Sequence, residues 1–203
     1  MSTTVINPPE RAPDATDLSE ARFMRLRDRS KVAVRQSNLG DEPALHTFLS
    51  GLCLEARRLR FFTGAADMGY AARLGVAADA AHCGLIAFDE MGVIVGHATY
   101  AKLDDTHAEV AVEVADHLHG RGLGTLLIEM LAAAAEQHGI THFDAEVLCE
   151  NHEMLDVFRD GFDARVLRQE GPEERVEFLT SGWRLAHERF ASGSQPKNSS
   201  AVS

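Results

Sequence analysis

The stretch AEVAVEVADHLHGRGLGTLLIEML, from Ala108 to Leu131, concentrates the residues best suited to chemistry. Glu109 and Glu113 alternate with valines ahead of Gly120, Gly122 and Gly124, and an apolar-periodic run follows. A glycine-rich turn that opens a helix presents amides without intrahelical acceptors at the positive end of the helix dipole. Missing Cβ atoms then let a ligand approach the backbone closely. Such a turn suits a phosphate; as an alternative, its glycines would serve only tight packing of helix on sheet. The order GxxxxGK[ST] of a nucleoside-triphosphate loop is absent. Asp144, about 20 residues beyond Gly124, raises the dinucleotide pattern. That pattern fails on context, because its first strand is buried on both faces and continuously apolar, whereas this strand carries glutamates and follows a hairpin.

The elements that must position these residues follow from periodicity. KVAVRQS, from Lys31, alternates as a strand, and Asp41 is the candidate N-cap of a helix with Leu45, Phe48, Leu49 and Leu52 at helical spacing. CGLIAFDEMGVIVGHATYA reads as a hairpin turning at DEMG. In the strand that begins near His107, Val110, Val112 and Val114 point one way, and Glu109, Ala111 and Glu113 the other. Leu123, Leu126, Leu127, Met130, Leu131 and Ala134 form the apolar stripe of a helix ending at Gly139. ITHFDAEVL is a further strand, a short helix runs from Asn151 to Gly161, and DARVLRQEGPEERVEFLT closes as a hairpin. Residues 1–30 are expected to lack structure, RFMRLRDRSK with its five basic residues being a solvated linker; 31–182 form the domain, and 183–203 a mostly disordered tail.

Composition bounds the function. With 45% apolar and 25% charged residues the chain is of globular type, and no apolar run approaches the roughly 20 residues that span a bilayer. No secretory or transit signal opens it, so a cytoplasmic location is expected. A net charge of -11 argues against nucleic acid as a partner and suits a basic protein surface or an amine. Cys53, Cys83 and Cys149 form no CxxC pair, and His117 and His119 alone make no ligand set, so neither disulfides nor a metal is expected.

HGRGLGTLLIEML resembles the acyl-CoA pyrophosphate loop of the GNAT superfamily of N-acetyltransferases, whose pattern is Arg or Gln, two residues, Gly, one residue, Gly or Ala. Gly122 and Gly124 match, and His119 stands at the lead position. NHEMLDVFRDGF is similar to the family's Asn-led helix at Asn151, Met154, Gly161 and Phe162. LEARRLRFF, from Leu54 to Phe62, resembles the segment of Pat-type protein lysine acetyltransferases that ends Arg-Phe-Phe, with Ala56 and Arg58 where Ser and Tyr are more usual.

The resemblance implies an α+β GNAT fold, a mixed and mostly antiparallel central sheet flanked by helices, and acetyl-CoA as co-substrate without a metal. It implies a protein lysine as acceptor, such as one on an acyl-CoA synthetase. Glu109 becomes the candidate base, acting through a water, and Glu113 its competitor on the same face. Amides near Val112 and Val114, where the strand splays from its neighbour in this fold, would bind the acetyl carbonyl and pantetheine. Amides of Gly120, Arg121, Gly122, Leu123, Gly124 and Thr125 would take the pyrophosphate, with Arg121 adding charge. Asn151 reaches the pantetheine arm or caps its helix. Many members carry a tyrosine acid where Phe158 stands here. Its loss is tolerable: deprotonating a lysine of pKa near 10.4 at pH 7 costs roughly 4.6 kcal/mol, against about 2 kcal/mol for expelling an unprotonated thiolate of pKa about 8.5. A small-molecule amine N-acetyltransferase and a non-catalytic acyl-CoA-binding regulatory module are the alternatives.

Overall fold

A computed structural model of the chain describes residues 18–63, 66–77, 79 and 81–182. In chain order the elements are β1 (Arg22–Arg25), β2 (Lys31–Gln36), α1 (Glu42–Gly51), α2 (Leu54–Phe61), α3 (Met68–Gly75), β3 (His82–Phe88), β4 (Ile94–Lys102) and β5 (His107–Val114). There follow α4 (Leu123–Gln137), β6 (His142–Leu148), α5 (His152–Asp156), running on as a π-helical turn over Val157–Gly161, β7 (Arg165–Glu170) and β8 (Glu173–Leu179). One sheet takes the order β1-β2-β3-β4-β5-β6-β8-β7. Every neighbouring pair is antiparallel except β5 and β6. A parallel pair requires a crossover, and α4 supplies it.

Alternation along the strands assigns the two faces. On one, Leu123, Leu127, Ile128 and Leu131 of α4 are buried against a core that includes Val110, Val112, Phe143 and Phe178. Each such leucine contributes roughly 1.5–3 kcal/mol relative to an exposed position. On the other face, Leu45 and Leu49 of α1 and Met68 and Ala72 of α3 pack on Ile86 and Ile94. The sheet is thus covered twice near β3 and β4, which explains why those strands read as near-continuous apolar runs.

β1 lies inside the segment expected to be without structure, and this corrects that reading for residues 18–30. Leu18 and Leu26 are buried, Met24 packs on the larger core, and β1 pairs with β2 from Arg22↔Val34 to Arg25↔Lys31. The basic residues drew attention to charge, while three apolar anchors among them decided the outcome. Residues 1–17 and 183–203 lie outside the described residues. Asp41 stands at the N-cap of α1 as expected, but its carboxylate makes no cap bond, accepting instead from the Asn38 amide at 2.9 Å and pairing with Arg35 at 2.7 Å.

α3 meets the sheet through backbone at Gly75 and Gly84. Ser37 Oγ donates to the Gly75 carbonyl at 3.1 Å. A Cβ on Gly84 would stand 2.3 Å from that carbonyl oxygen and 2.5 Å from Ser37 Oγ, so α3 must retreat to admit it. Gly84→Ala is therefore expected to cost about 1–3 kcal/mol by overpacking. The measurement is urea unfolding, with a lower midpoint at unchanged m-value.

Candidate active site

The sheet opens between β5 and β6. The two strands pair only at His107↔His142, Ala108↔Phe143 and Glu109↔Asp144, although β5 runs on to Val114 and β6 to Leu148. Each is held on its far side, β5 by β4 as far as Gly96↔Val114 and β6 by β8 as far as Leu148↔Glu173. The inner edges beyond Glu109 thus diverge with no ladder between them. Val112 and Val114 lie on the β5 side of this slot, so their peptide groups line it while their side chains face α4.

At the mouth of the slot stands the start of α4. Gly120 and Gly122 have φ of 70° and 87°, a left-handed conformation that glycine adopts without the Cβ penalty. Gly122 is the N-cap and offers no side-chain cap, and the first bond back to it comes from the Leu126 amide at 3.0 Å. The amides of Leu123, Gly124 and Thr125 consequently have no hydrogen-bond acceptor among the described residues. Three outward donors at the positive end of a 15-residue helix are what an anion requires.

The β1–β2 turn braces this loop in a way the sequence reading missed. The Arg27 amide donates to the Arg121 carbonyl at 3.1 Å, and Arg121 pairs with Asp28 at 2.6 Å. Hydrogen bonds from Ser30 and Arg121 hold the Asp28 carboxyl below the usual carboxylate range. The Arg121 guanidinium is therefore engaged with Asp28 beside the unpaired amides at the start of α4. His119, at the lead position of the glycine motif, donates from Nε2 to the Val114 carbonyl at 3.0 Å, and its Nδ1 lies 3.6 Å from Glu153. It ties the end of β5 to the first turn of α5. Asn151 Oδ1 accepts from the Met154 amide at 3.2 Å and caps that helix.

Glu109 and Glu113 occupy the same side of β5 in opposite environments. Glu109 is exposed, next to the point where the slot opens, and has no hydrogen bond or ion pair among the described residues. Glu113 is 6% exposed and fully engaged: Arg60 of α2 donates to Oε1, and His97 Nδ1 lies 2.9 Å from Oε2. The other nitrogen of His97 lies 3.0 Å from the Gly75 carbonyl. Burial alone would push the Glu113 carboxyl up; Arg60 and His97 outweigh it and hold the group below the usual range. Glu113 thereby joins β5, β4, α2 and α3, a role available only to a carboxylate that stays put.

α2 spans the slot. Arg60 reaches Glu113 on β5, while Arg58, paired with Glu55 at 2.8 Å, also reaches Glu150 just past β6. Phe158 is core: it is 2% exposed, with its ring centroid 5.1 Å from that of Phe178. No helix among the described residues is long and apolar enough to cross a membrane, and no group of three or more metal-ligating side chains is found among them.

The sheet is thus split between two parallel strands, with unpaired amides at its mouth and an exposed carboxylate at its apex. The chain belongs to the acetyltransferase (GNAT) family, whose model matches residues 53–162, and it is an acetyl-CoA-dependent acetyltransferase. It is similar to the GNAT domain of S. lividans PAT, at 28% identity and TM-score 0.71, covering 78% of this chain and 96% of that one. It also resembles in fold a cAMP-binding acyltransferase from Mycobacterium smegmatis, at 20% identity and TM-score 0.56, spanning 86% of this chain but 56% of that one. A spermidine N-acetyltransferase from Vibrio cholerae, in complex with CoA and spermine, shares the fold at 16% identity and TM-score 0.58, with 75% and 98% covered.

Proposed function

We propose that this acetyltransferase moves the acetyl group of acetyl-CoA to the side-chain amine of a protein lysine, with acyl-CoA synthetases as candidate acceptors. The observation that carries the reading is the 28% identity to the PAT GNAT domain over 96% of its length. Gly120, Gly122, Leu123, Gly124 and Thr125 would hold the pyrophosphate through their amides, with Arg121 close by. Peptide groups of Val112 and Val114 would take the acetyl carbonyl and pantetheine in the slot, and Asn151 fixes the helix that bounds it. Glu109, directly or through a water, removes the proton of the lysine ammonium. The freed nitrogen bonds to the acetyl carbon as the C–S bond breaks, the electron pair leaves with sulfur as the thiolate, and the second proton that the acylated nitrogen sheds to become the amide passes to that thiolate through solvent. Phe158 offers no proton to that sulfur, which therefore leaves unprotonated at a cost of about 2 kcal/mol at pH 7.

The test is thiol release from acetyl-CoA with a panel of acyl-CoA synthetases, followed by mass spectrometric mapping of acetyl-lysine. Enzyme-dependent acetylation at discrete lysines is the expected result. A higher kcat/KM on polyamines or aminoglycosides than on any protein would replace the acceptor with a small amine. Tight acetyl-CoA binding without turnover on either class would leave only a binding module.

A further inference from the structure

On the sheet face opposite α4, one row of side chains crosses four strands. Register places Glu109 of β5 beside Asp144 of β6, Asp144 beside Glu177 of β8, and Glu177 beside Arg165 of β7. Neighbouring strands lie about 4.8 Å apart, so three carboxylates stand side by side, an arrangement that self-repulsion disfavours unless cations intervene. Two do. Arg165 Nε donates to Glu177 at 2.9 Å, with His107 Nε2 3.9 Å from the other oxygen of Glu177. Arg175 donates to Asp144 Oδ2 at 2.6 Å. In the next row Glu146 lies 3.7 Å from Arg168.

The deficit falls at the Glu109 end. Glu109 makes no hydrogen bond or ion pair among the described residues, the arginine that interacts with it electrostatically, Arg175, being already committed to Asp144, and Asp144, 6% exposed, keeps its second oxygen enclosed without a hydrogen-bond partner among those residues. A buried acceptor left unpaired is costly, and buried polar atoms of this kind are rare enough to need a reason. Its position supplies one, since the vacant oxygen belongs to the residue in register with the candidate base. An alkylammonium carries three donors in a compact head, enough to meet Glu109 and Asp144 Oδ1 together with one to spare.

We propose that Asp144 is the acceptor-docking residue, holding the ammonium form of a primary alkylamine beside Glu109 and so selecting cationic acceptors over neutral amines. The inference rests on the catalytic reading above, in which Glu109 is the base. It assigns the two carboxylates different duties: Asp144, anchored by Arg175, positions the cation, and Glu109, held by no hydrogen bond, accepts its proton. Once neutral, the amine loses its attraction to Asp144 and is free to turn toward the slot.

The experiment compares wild type and Asp144→Asn with acetyl-CoA and two acceptors: a lysine-containing peptide, cationic at pH 7, and aniline, neutral at pH 7. The amide oxygen of Asn can still accept from Arg175, so thermal stability serves as the control for folding. The expected result is a KM for the peptide raised about ten- to a hundredfold, the factor for one charged hydrogen bond, with kcat and the KM for acetyl-CoA little changed. Aniline kinetics should not move. In wild type, n-hexylamine should compete with the peptide while the neutral n-hexanol does not, an arm that needs no variant. An unchanged peptide KM in Asp144→Asn, or equal competition by hexylamine and hexanol, overturns the ammonium site while leaving the acetyltransferase reading intact. A wild type that acetylates neither acceptor overturns both.

Discussion

Glu109→Gln should lower kcat/KM for the amine by a factor of about 10²–10⁴, the contribution of a positioned general base, while leaving acetyl-CoA binding unchanged. The substitution is close to isosteric, and because Glu109 is exposed and unpaired it strands no partner. Stability should therefore stay within about 0.5 kcal/mol of wild type, as for other surface changes. The unpaired amides of α4 and the slot, the groups proposed to hold acetyl-CoA, both lie on main chain that this side chain does not touch. Initial rates of thiol release and calorimetric titration with acetyl-CoA separate the two properties. A rate loss under threefold would remove Glu109 from the chemistry, and a parallel loss of acetyl-CoA affinity would move its role to the donor half of the site.

Glu113, four residues along the same strand, should answer to stability. Glu113→Ala leaves the donors of Arg60 and His97 facing a void where a carboxylate had been. Breaking a buried pair from one side costs about 3–5 kcal/mol. Arg60 keeps 28% of its side chain exposed and can turn partly to water, so the lower end of that range applies. The pH dependence has a definite sign. The folded state holds this carboxyl below its ordinary value of 4.5. Its contribution is thus fully present above that value and is lost as pH falls through the lower folded value. Wild-type stability should fall on acidification below about pH 4.5, and Glu113→Gln should lack this component. Denaturant midpoints measured between neutral and acid pH check it; curves that stay parallel throughout would refute the assignment.

What the chain discloses about itself divides along the range of the interactions. Alternation in EVAVEV, the stripe from Leu123 to Ala134 and the turn at DEMG are local, and they become β5, α4 and the β3–β4 hairpin. The glycines before α4 announce themselves because only particular backbone angles need them. Pairs between distant residues leave no such trace. Arg60 and Glu113 are 53 residues apart, and Arg121 and Asp28 are 93 apart. Neither pairing is written in the pattern around either partner. The same holds for β1, whose edge position depends on β2 and on where Leu18 and Leu26 find cover. The parting of β5 from β6 is harder still to read, because it is a property of strand direction and not of any side chain. Only the family resemblance anticipates it. Glu113 and Glu109 illustrate the limit: identical residues on one side of one strand, told apart only by what α2 and α3 bring over one of them.

The opening beside β5 also bears on how such an enzyme can change. β5 works in three directions: valines toward α4, acids toward the opposite face, and peptide groups sideways into the slot. Peptide groups come with every residue type, so what the slot offers a ligand is nearly indifferent to which side chains the strand carries. Side chains on the outward face around Glu109 can then change without disturbing either the apolar core or the peptide groups of the slot, so long as Glu109 itself is kept. Mutational freedom is partitioned by geometry, and a new acceptor lies a few substitutions away on a single surface.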